Sequence, residues 1–401
     1  MRVLDLSRIL AGPWCAQTLA DLGADVIKIE RPGRGDDTRS WGPPFVRDAN
    51  GNETAETAYF MCANRGKRSV TVDIAAPAGQ DIVRRLAAQS DVLIENYKVG
   101  GLVRYGLDYA SLSALNPRLI YCSITGFGQS GPYAYRPGYD YLAQAMGGVM
   151  SVTGERDDLP GGGPQKVGVA VADITTGLYA TIAIQAALAE RQRSGAGQYI
   201  DMALLDCQVA FMANQATAYL ASHDAPQRAG NAHQSIVPYQ VFASSDSHIV
   251  VAAGNEAQYR RLCELLQAPE LAEDDRFATN AARVRNRAAL IPLIADRLQE
   301  HSSRYWLQAL DGAGIPCAPI NTLDQVFADP HIRHREMQVT LAHPLTGEVR
   351  LPASPMKLSR TPPQYRRAPP TLGQHTDEVL RDVLRYDDDQ LRSLREAGTI
   401  D

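Results

Sequence analysis

The sequence predicts an α/β fold: a large domain built on a parallel sheet, followed by a smaller α+β domain. Three observations predict it. The opening stretch VLDLSRILAGPWCAQTLADLGADVIKIERP reads strand, helix, strand, and that rhythm then repeats. The strands are short apolar runs rather than alternating ones, as expected of a parallel sheet covered on both faces. Beyond Pro238 the pattern changes to a hairpin followed by amphipathic helices.

In order, a first strand ends at Ser7, a helix runs from Pro13 to Leu22, Gly23 closes it, and Asp25 to Glu30 forms a second strand. Such a βαβ unit joins parallel strands through a right-handed crossover. SVTVDI (Ser69 to Ile74) leads into a helix from Ala78 to Ser90, then DVLIEN, another helix, and LIYCSIT from Leu119 to Thr125. From Asp173 a long helix continues through Arg193. A strand from Gln198 to Met202 and a helix to about Tyr219 complete the large domain's first part, residues 1–220. Residues 221–237 are polar, with Gly, Pro and two His, and read as a linker or active-site loop. The small domain, residues 238–321, opens with VFASSDSHIVVAAG, a hairpin turning at Ser245 to Ser247. Helices near Glu256 to Leu266, Arg283 to Glu300 and Ser303 to Gly314 follow. Residues 322–401 add a helix at Leu323 to Ala328, a strand pair between Gln338 and Leu351, a Pro-rich strap to Pro370, and a helix from Thr376.

Apolar residues make up 45 % and charged residues 21 % of the chain, ordinary values for a globular protein. A net charge of −5 offers no reason to bind nucleic acid or an anionic membrane, so neither is expected as a partner. The six cysteines (Cys15, Cys62, Cys122, Cys207, Cys263, Cys317) form no C-x-x-C pair, so no metal site, redox dithiol or disulfide framework is expected. A strand-like run already at Val3 to Leu6 leaves no room for a secretory leader, and no run of about 18 apolar residues is read as a membrane span. A cytoplasmic protein is expected.

Gly126-Phe127-Gly128-Gln129-Ser130-Gly131 fits G-x-G-x-x-G, but Pro132 and a broken polar stretch follow where a dinucleotide site needs a helix. The glycines fit a loop that approaches or closes over a ligand. Arg8, Arg31, Lys67, Arg68, Asn96 and Arg104 recur around the strand ends. Singly these cations and polar groups read as solvated surface residues; together they suit a phosphorylated adenosine handle. In GVAVADITTGLYATIAIQAAL, Asp173 falls in the first turn of a long apolar helix. One reading is an N-cap. The other is a carboxylate nucleophile kept ionised by the positive helix end. His233 and Ser235 lie in AGNAHQSIVPYQ without a G-x-S-x-G elbow, so substrate contact suits them better than hydrolase chemistry.

The chain resembles the class III CoA-transferase family along nearly its whole length. The resemblance runs from VLDLSRILAGP and LGADVIKIERPGRGDDTR, through NRGKRSV, ENYKVGGLVRYG and TGFGQSGPYAYRPGYD, to VADITTGLYA and RAPPTLGQHTDEVL. DDTRSWGPPF, HQSIVPYQVF and LRYDDDQL look like members that exchange CoA between dicarboxylic acids. The resemblance implies a Rossmann-like large domain built from both chain ends, an inserted small domain, and an interlocked homodimer. It places the nucleophile on Asp173 and the CoA contacts on Ile9, Ala11, Arg31, Lys67, Asn96, Tyr97 and Arg104. Arg136 stands near the position of a lysine in formyl-CoA transferases. Gly126, Gly128, Tyr139, His233 and Ser235 fall around the substrate.

The implied reaction moves CoA from an acyl-CoA, such as succinyl-CoA, to a small carboxylic acid such as glutarate, with CoA as substrate and no tightly bound cofactor. The alternatives are a racemase-type isomerase of the same fold and a non-catalytic CoA-binding protein. Racemases of the family carry a histidine where this chain has Tyr139, and a phenol near pKa 10 is a poor base near neutrality.

Overall fold

Six strands form the main sheet: β1 (Arg2–Asp5), β2 (Asp25–Glu30), β3 (Lys67–Thr71), β4 (Val92–Glu95), β5 (Ile120–Thr125) and β6 (Tyr199–Ala203). The computed structural model, which describes residues 1–401, places them in the order β3-β2-β1-β4-β5-β6. Every neighbouring pair is parallel. The order reverses between β1 and β4, the topological switch of a Rossmann-type sheet, where ligands bind beyond the carboxyl ends of the strands.

Strands β3, β4 and β5 are buried at every residue, so β5 and most of β4 read as apolar or neutral runs, while Lys67, Arg68 and Glu95 are charged residues buried at strand ends. Alternate residues feed two cores. Leu4, Ile27, Val70 and Leu93 pack against the helix Pro77–Ala87 and the C-terminal helix Thr376–Leu384. Val3, Val26, Val92 and Ile120 pack on the other face, against α1 (Ala11–Asp21) and the long helix Val171–Ser194. Of the remaining helices, α2 (Asp140–Met146) precedes that long helix, here α3 (Val171–Ser194), and α4 (Leu204–Phe211) and α5 (Ala213–Ser222) follow β6.

Helix α3 is long and apolar enough to cross a bilayer by composition, a point the sequence reading missed. Its packing accounts for much of that character. Ala172, Thr176, Gly177, Ala180 and Ile184 are buried, and a Cβ on Gly177 would stand 2.7 Å from the carbonyl oxygen of Ala11. The single helix expected after β6 is broken at Ala213, whose φ is +41°.

The large unit comprises residues 1–149, 167–222 and 330–401. Its C-terminal part covers the edge of the sheet: His375 N donates to Ser69 O at 2.9 Å and Thr71 N to Thr376 Oγ1 at 3.0 Å.

The second unit comprises residues 150–166 and 223–329. A three-stranded antiparallel sheet, β7 (Tyr239–Ala243), β8 (His248–Ala252) and β9 (Cys317–Pro319), backs a core containing Phe242, Ile249, Tyr259, Phe277 and Trp306. The sequence alone places residues 150–166 with the large domain. They carry no hydrophobic period and join the smaller unit through contacts distant in sequence, including Gly230 N to Gly154 O at 3.2 Å and an ion pair between Arg228 and Asp157.

Candidate active site

At the switch point, the turns after β1 and β4 are tied together by side-chain bonds. Arg8 N donates to Asn96 Oδ1 at 2.9 Å, and Asn96 Nδ2 returns a bond to Arg8 O at 2.7 Å. Ile9 takes a φ of +72°, and its amide donates to Asp36 Oδ1 at 3.1 Å. Asp36 is fully buried against Lys28 at 2.9 Å. Burial alone would raise the Asp36 carboxyl, but Lys28 and the Thr38 amide outweigh it and hold it below its ordinary range. The first turn is thus held by a rigid buried ion pair.

Beyond these turns lies a cleft of about 380 Å³, lined by Arg8–Ala11, Asn96–Val99, Gly101, Arg104, Ile124–Gly126, Ala134–Asp140, Asp173 and Leu204. A second cleft of about 420 Å³ shares Arg8, Tyr97 and Arg104 with it and adds Arg31 and Arg34. Arg8 and Arg104 thus line both clefts, and Arg31 and Arg34 add positive charge in the one that Asp173 does not line, a set of cations that suits a phosphorylated handle. The Arg136 guanidinium stacks over the Tyr133 ring at 4.6 Å, on the segment that also carries Tyr139.

Asp173 sits in the first turn of α3, but it does not cap the helix. Asp140 does: its Oδ1 accepts from Ala172 N at 2.8 Å and from Asp173 N at 3.2 Å. Asp140 Oδ2 accepts from Gln144 Nε2 at 2.6 Å. The expectation that the helix end keeps Asp173 ionised is therefore corrected. Burial, then the charge of Asp140, pushes the Asp173 carboxyl up to about 7.

Lys67 also departs from its expected role. Its ammonium is completely buried and donates to Asp5 Oδ2 (2.8 Å), Asn64 Oδ1 (2.9 Å) and Pro13 O (3.0 Å). Those three bonds use every hydrogen on the nitrogen, so none is left for a ligand. Lys67 supports the first turn from beneath. Gly126 lines the cleft, whereas Gly128 lies outside its lining, with its amide donating to Thr125 Oγ1. A Cβ on Gly126 would stand 2.4 Å from Gly138 Cα, so two backbone segments touch there.

His233 and Ser235 belong to the second unit. The His233 ring stacks on Tyr239 at 5.2 Å, and its Nδ1 accepts from Ser235 N at 3.1 Å. Both lie outside the lining of the cleft that holds Asp173.

Sequence reasoning missed Asp140 and Glu95. Glu95 accepts from Tyr97 N at 2.7 Å, and burial pushes its carboxyl up to about 7. Nothing in either local sequence distinguishes these acids from ordinary strand-end or helix-start residues.

A switch-point cleft lined by several cations and by a half-buried carboxylate with no hydrogen-bond partner suits a group-transfer enzyme acting on an anionic substrate. The chain belongs to CoA-transferase family III, whose family model matches residues 1–376. It is 50 % identical over 383 residues to the succinate–glutarate CoA-transferase of Agrobacterium fabrum, covering 96 % of this chain and 94 % of that one. It is 44 % identical over 401 residues to the succinyl-CoA:glutarate CoA-transferase of Homo sapiens, covering 100 % and 89 %. A crystal structure of a CAIB/BAIF family protein from Brucella suis superposes with a TM-score of 0.85 at 51 % identity, covering 96 % and 98 %. This chain is accordingly a transferase that uses CoA thioesters as substrates.

Proposed function

We propose that this enzyme moves CoA from succinyl-CoA to glutarate, with Asp173 as the nucleophile. The acids follow from the relatives that share 44–50 % of its residues over nearly the full chain. The observation that carries the nucleophile is the Asp173 carboxylate itself: it lines the cleft beside the CoA-facing turns, and no hydrogen bond or cation stabilises its charge.

An Asp173 oxygen attacks the thioester carbonyl, the C–S bond breaks, and CoA leaves as a thiolate from a succinyl-aspartyl anhydride. The thiolate attacks the aspartyl carbonyl, releasing succinate and leaving an aspartyl-CoA thioester. A glutarate carboxylate then displaces the thiolate, forming an aspartyl-glutaryl anhydride. Attack by the thiolate on the glutaryl carbonyl gives glutaryl-CoA and restores the Asp173 carboxylate. Each step exchanges one acyl–oxygen or acyl–sulfur bond for another, so none needs a large driving force. Removing water from the anhydride is the task of the loops around the cleft.

Asp173→Asn should retain CoA binding and lose transfer. Mass spectrometry of wild type incubated with succinyl-CoA should find the CoA or succinyl adduct on Asp173. Transfer at the wild-type rate by Asp173→Ala would overturn the assignment.

The functional unit we propose is a homodimer, the family's interlocked form. Helix α3 leaves Leu178, Tyr179 and Ile182 exposed, and the two helices after β6 leave Val209, Phe211, Tyr219 and Leu220 exposed. So many large apolar side chains on consecutive helices support an interface with a second copy.

A further inference from the structure

One carboxylate in the site has no part in the scheme above. We propose that Asp140 is a positioning residue that makes Asp173 reactive, by taking the helix-start amides for itself and setting its own charge against the nucleophile. This rests on the reading of Asp173 as the nucleophile.

The geometry is specific. The free N–H groups at a helix start are strong stabilisers of a nearby anion. In α3 two of them, on Ala172 and Asp173, point to Asp140 Oδ1. The Asp173 side chain therefore receives none of the stabilisation its position offers. Asp140 is itself held: Oδ2 accepts from Gln144 Nε2 at 2.6 Å, and Gln144 Oε1 accepts from Val167 N at 2.9 Å. Gln144 is fully buried. The arrangement thus clamps both the segment entering α3 and the orientation of the Asp140 carboxylate.

The other groups around Asp173 do not supply a counter-charge. Tyr59, on the short helix Ala58–Met61, lies within reach of its charge: the phenol is pushed up to about 12, by burial first and then by Asp173. Arg8, Lys98, Arg104 and Arg136 line the same cleft, yet burial and Asp140 alone account for the raised Asp173 carboxyl. A carboxylate without donors or cations is more basic than an ordinary one, and a more basic oxygen is a better nucleophile.

The test is the pH dependence of adduct formation from succinyl-CoA, followed by rapid-quench mass spectrometry in wild type, Asp140→Asn, Asp140→Glu and Asp140→Ala. Wild type should lose adduct formation as pH falls through about 7. Asp140→Asn keeps an oxygen for the two amides but removes the charge. Its acid limb should move down by about half to one pH unit, and its high-pH plateau should fall about two- to threefold. Asp140→Glu should restore the limb near neutrality. Asp140→Ala should shift the limb as the Asn variant does and also lower the melting temperature, through the lost cap. CoA affinity should stay within about twofold in Asp140→Asn, since every cation lining the cleft is kept. An acid limb in Asp140→Asn identical to wild type overturns this inference while the adduct on Asp173 still stands. Absence of any Asp173 adduct in wild type removes the nucleophile assignment and this inference together.

Discussion

The Lys67 ammonium and the Asp5 carboxylate lie 2.8 Å apart with both side chains fully buried, directly beneath the first turn of the cleft. Burial draws the Lys67 ammonium down to about 8, partly offset by Asp5. Removing one member leaves the other as an uncompensated buried charge, which typically costs about 3–5 kcal/mol. Lys67→Met is expected to destabilise the protein by that order in urea unfolding. Asp5→Asn with Lys67→Met should cost less than the lysine substitution alone, since no unpaired charge remains. A double variant less stable than Lys67→Met would show that the pair contributes through more than charge balance.

Stability should carry a pH signature from Asp173. Its folded-state carboxyl, raised to about 7, holds a proton more tightly than in the unfolded chain. Between the ordinary carboxyl range near 4 and about 7 the folded state binds more protons, so stability falls as pH rises across that window. Asp173→Asn should therefore be more stable than wild type at pH 8, by up to about 4 kcal/mol, and indistinguishable from it at pH 4. Melts at the two pH values check this.

Gly126→Ala places a methyl group 2.4 Å from Gly138 Cα, where only backbone can yield. The segment leading to Tyr139 and Asp140 must then move away from β5. Because a displacement near 1 Å in a reacting group costs about 100-fold in rate, kcat should drop by that order. The far-UV spectrum and CoA affinity should change little.

Arg31 lines the 420 Å³ cleft and Arg104 lines both clefts, and their proposed hold on the phosphates of CoA has a direct test. Arg104→Gln is expected to raise the KM for succinyl-CoA about tenfold or more with a smaller effect on kcat, and to flatten its dependence on salt. Arg31→Gln should act in the same direction. The KM for glutarate should not follow.

Ile182 and Leu220 are 63 % and 72 % exposed in the single chain. If a second copy covers them, Ile182→Glu with Leu220→Glu would bury two unpaired charges in an interface. Sedimentation should show a dimer for wild type and a monomer for the double variant. A wild-type monomer would refute the assembly.

Much of the scaffold was legible because parallel strands buried on both faces must be apolar runs: LIYCSIT at Leu119 to Thr125 contains β5. The first-turn position of Asp173 was legible too, since an acid entering a long apolar helix has few other places to lie. Its surroundings were not. Asp140 lies 33 residues away from the amide it caps, and no local pattern announces a cap delivered from another helix. Lys67 misled for a related reason. A cation beside a strand reads as a surface charge or phosphate contact, and only tertiary structure brings Asp5, Asn64 and the Pro13 carbonyl to its three hydrogens. Residues 150–166 lack any period, so their packing with the smaller unit rests on contacts that no local rule encodes.

The return of residues 330–401 to the large unit bears on the order in which the protein becomes structured. During synthesis the smaller unit's residues are complete at Asp329, whereas strand β3 remains an open edge until the segment around His375 and Thr376 has emerged. Domains fold as units while a chain is made, and non-local closure is slow. The first part of the large unit therefore waits, with an exposed strand edge, through the synthesis of the whole smaller unit. Its vulnerable moment is on the ribosome, when that edge is free to pair with another nascent chain.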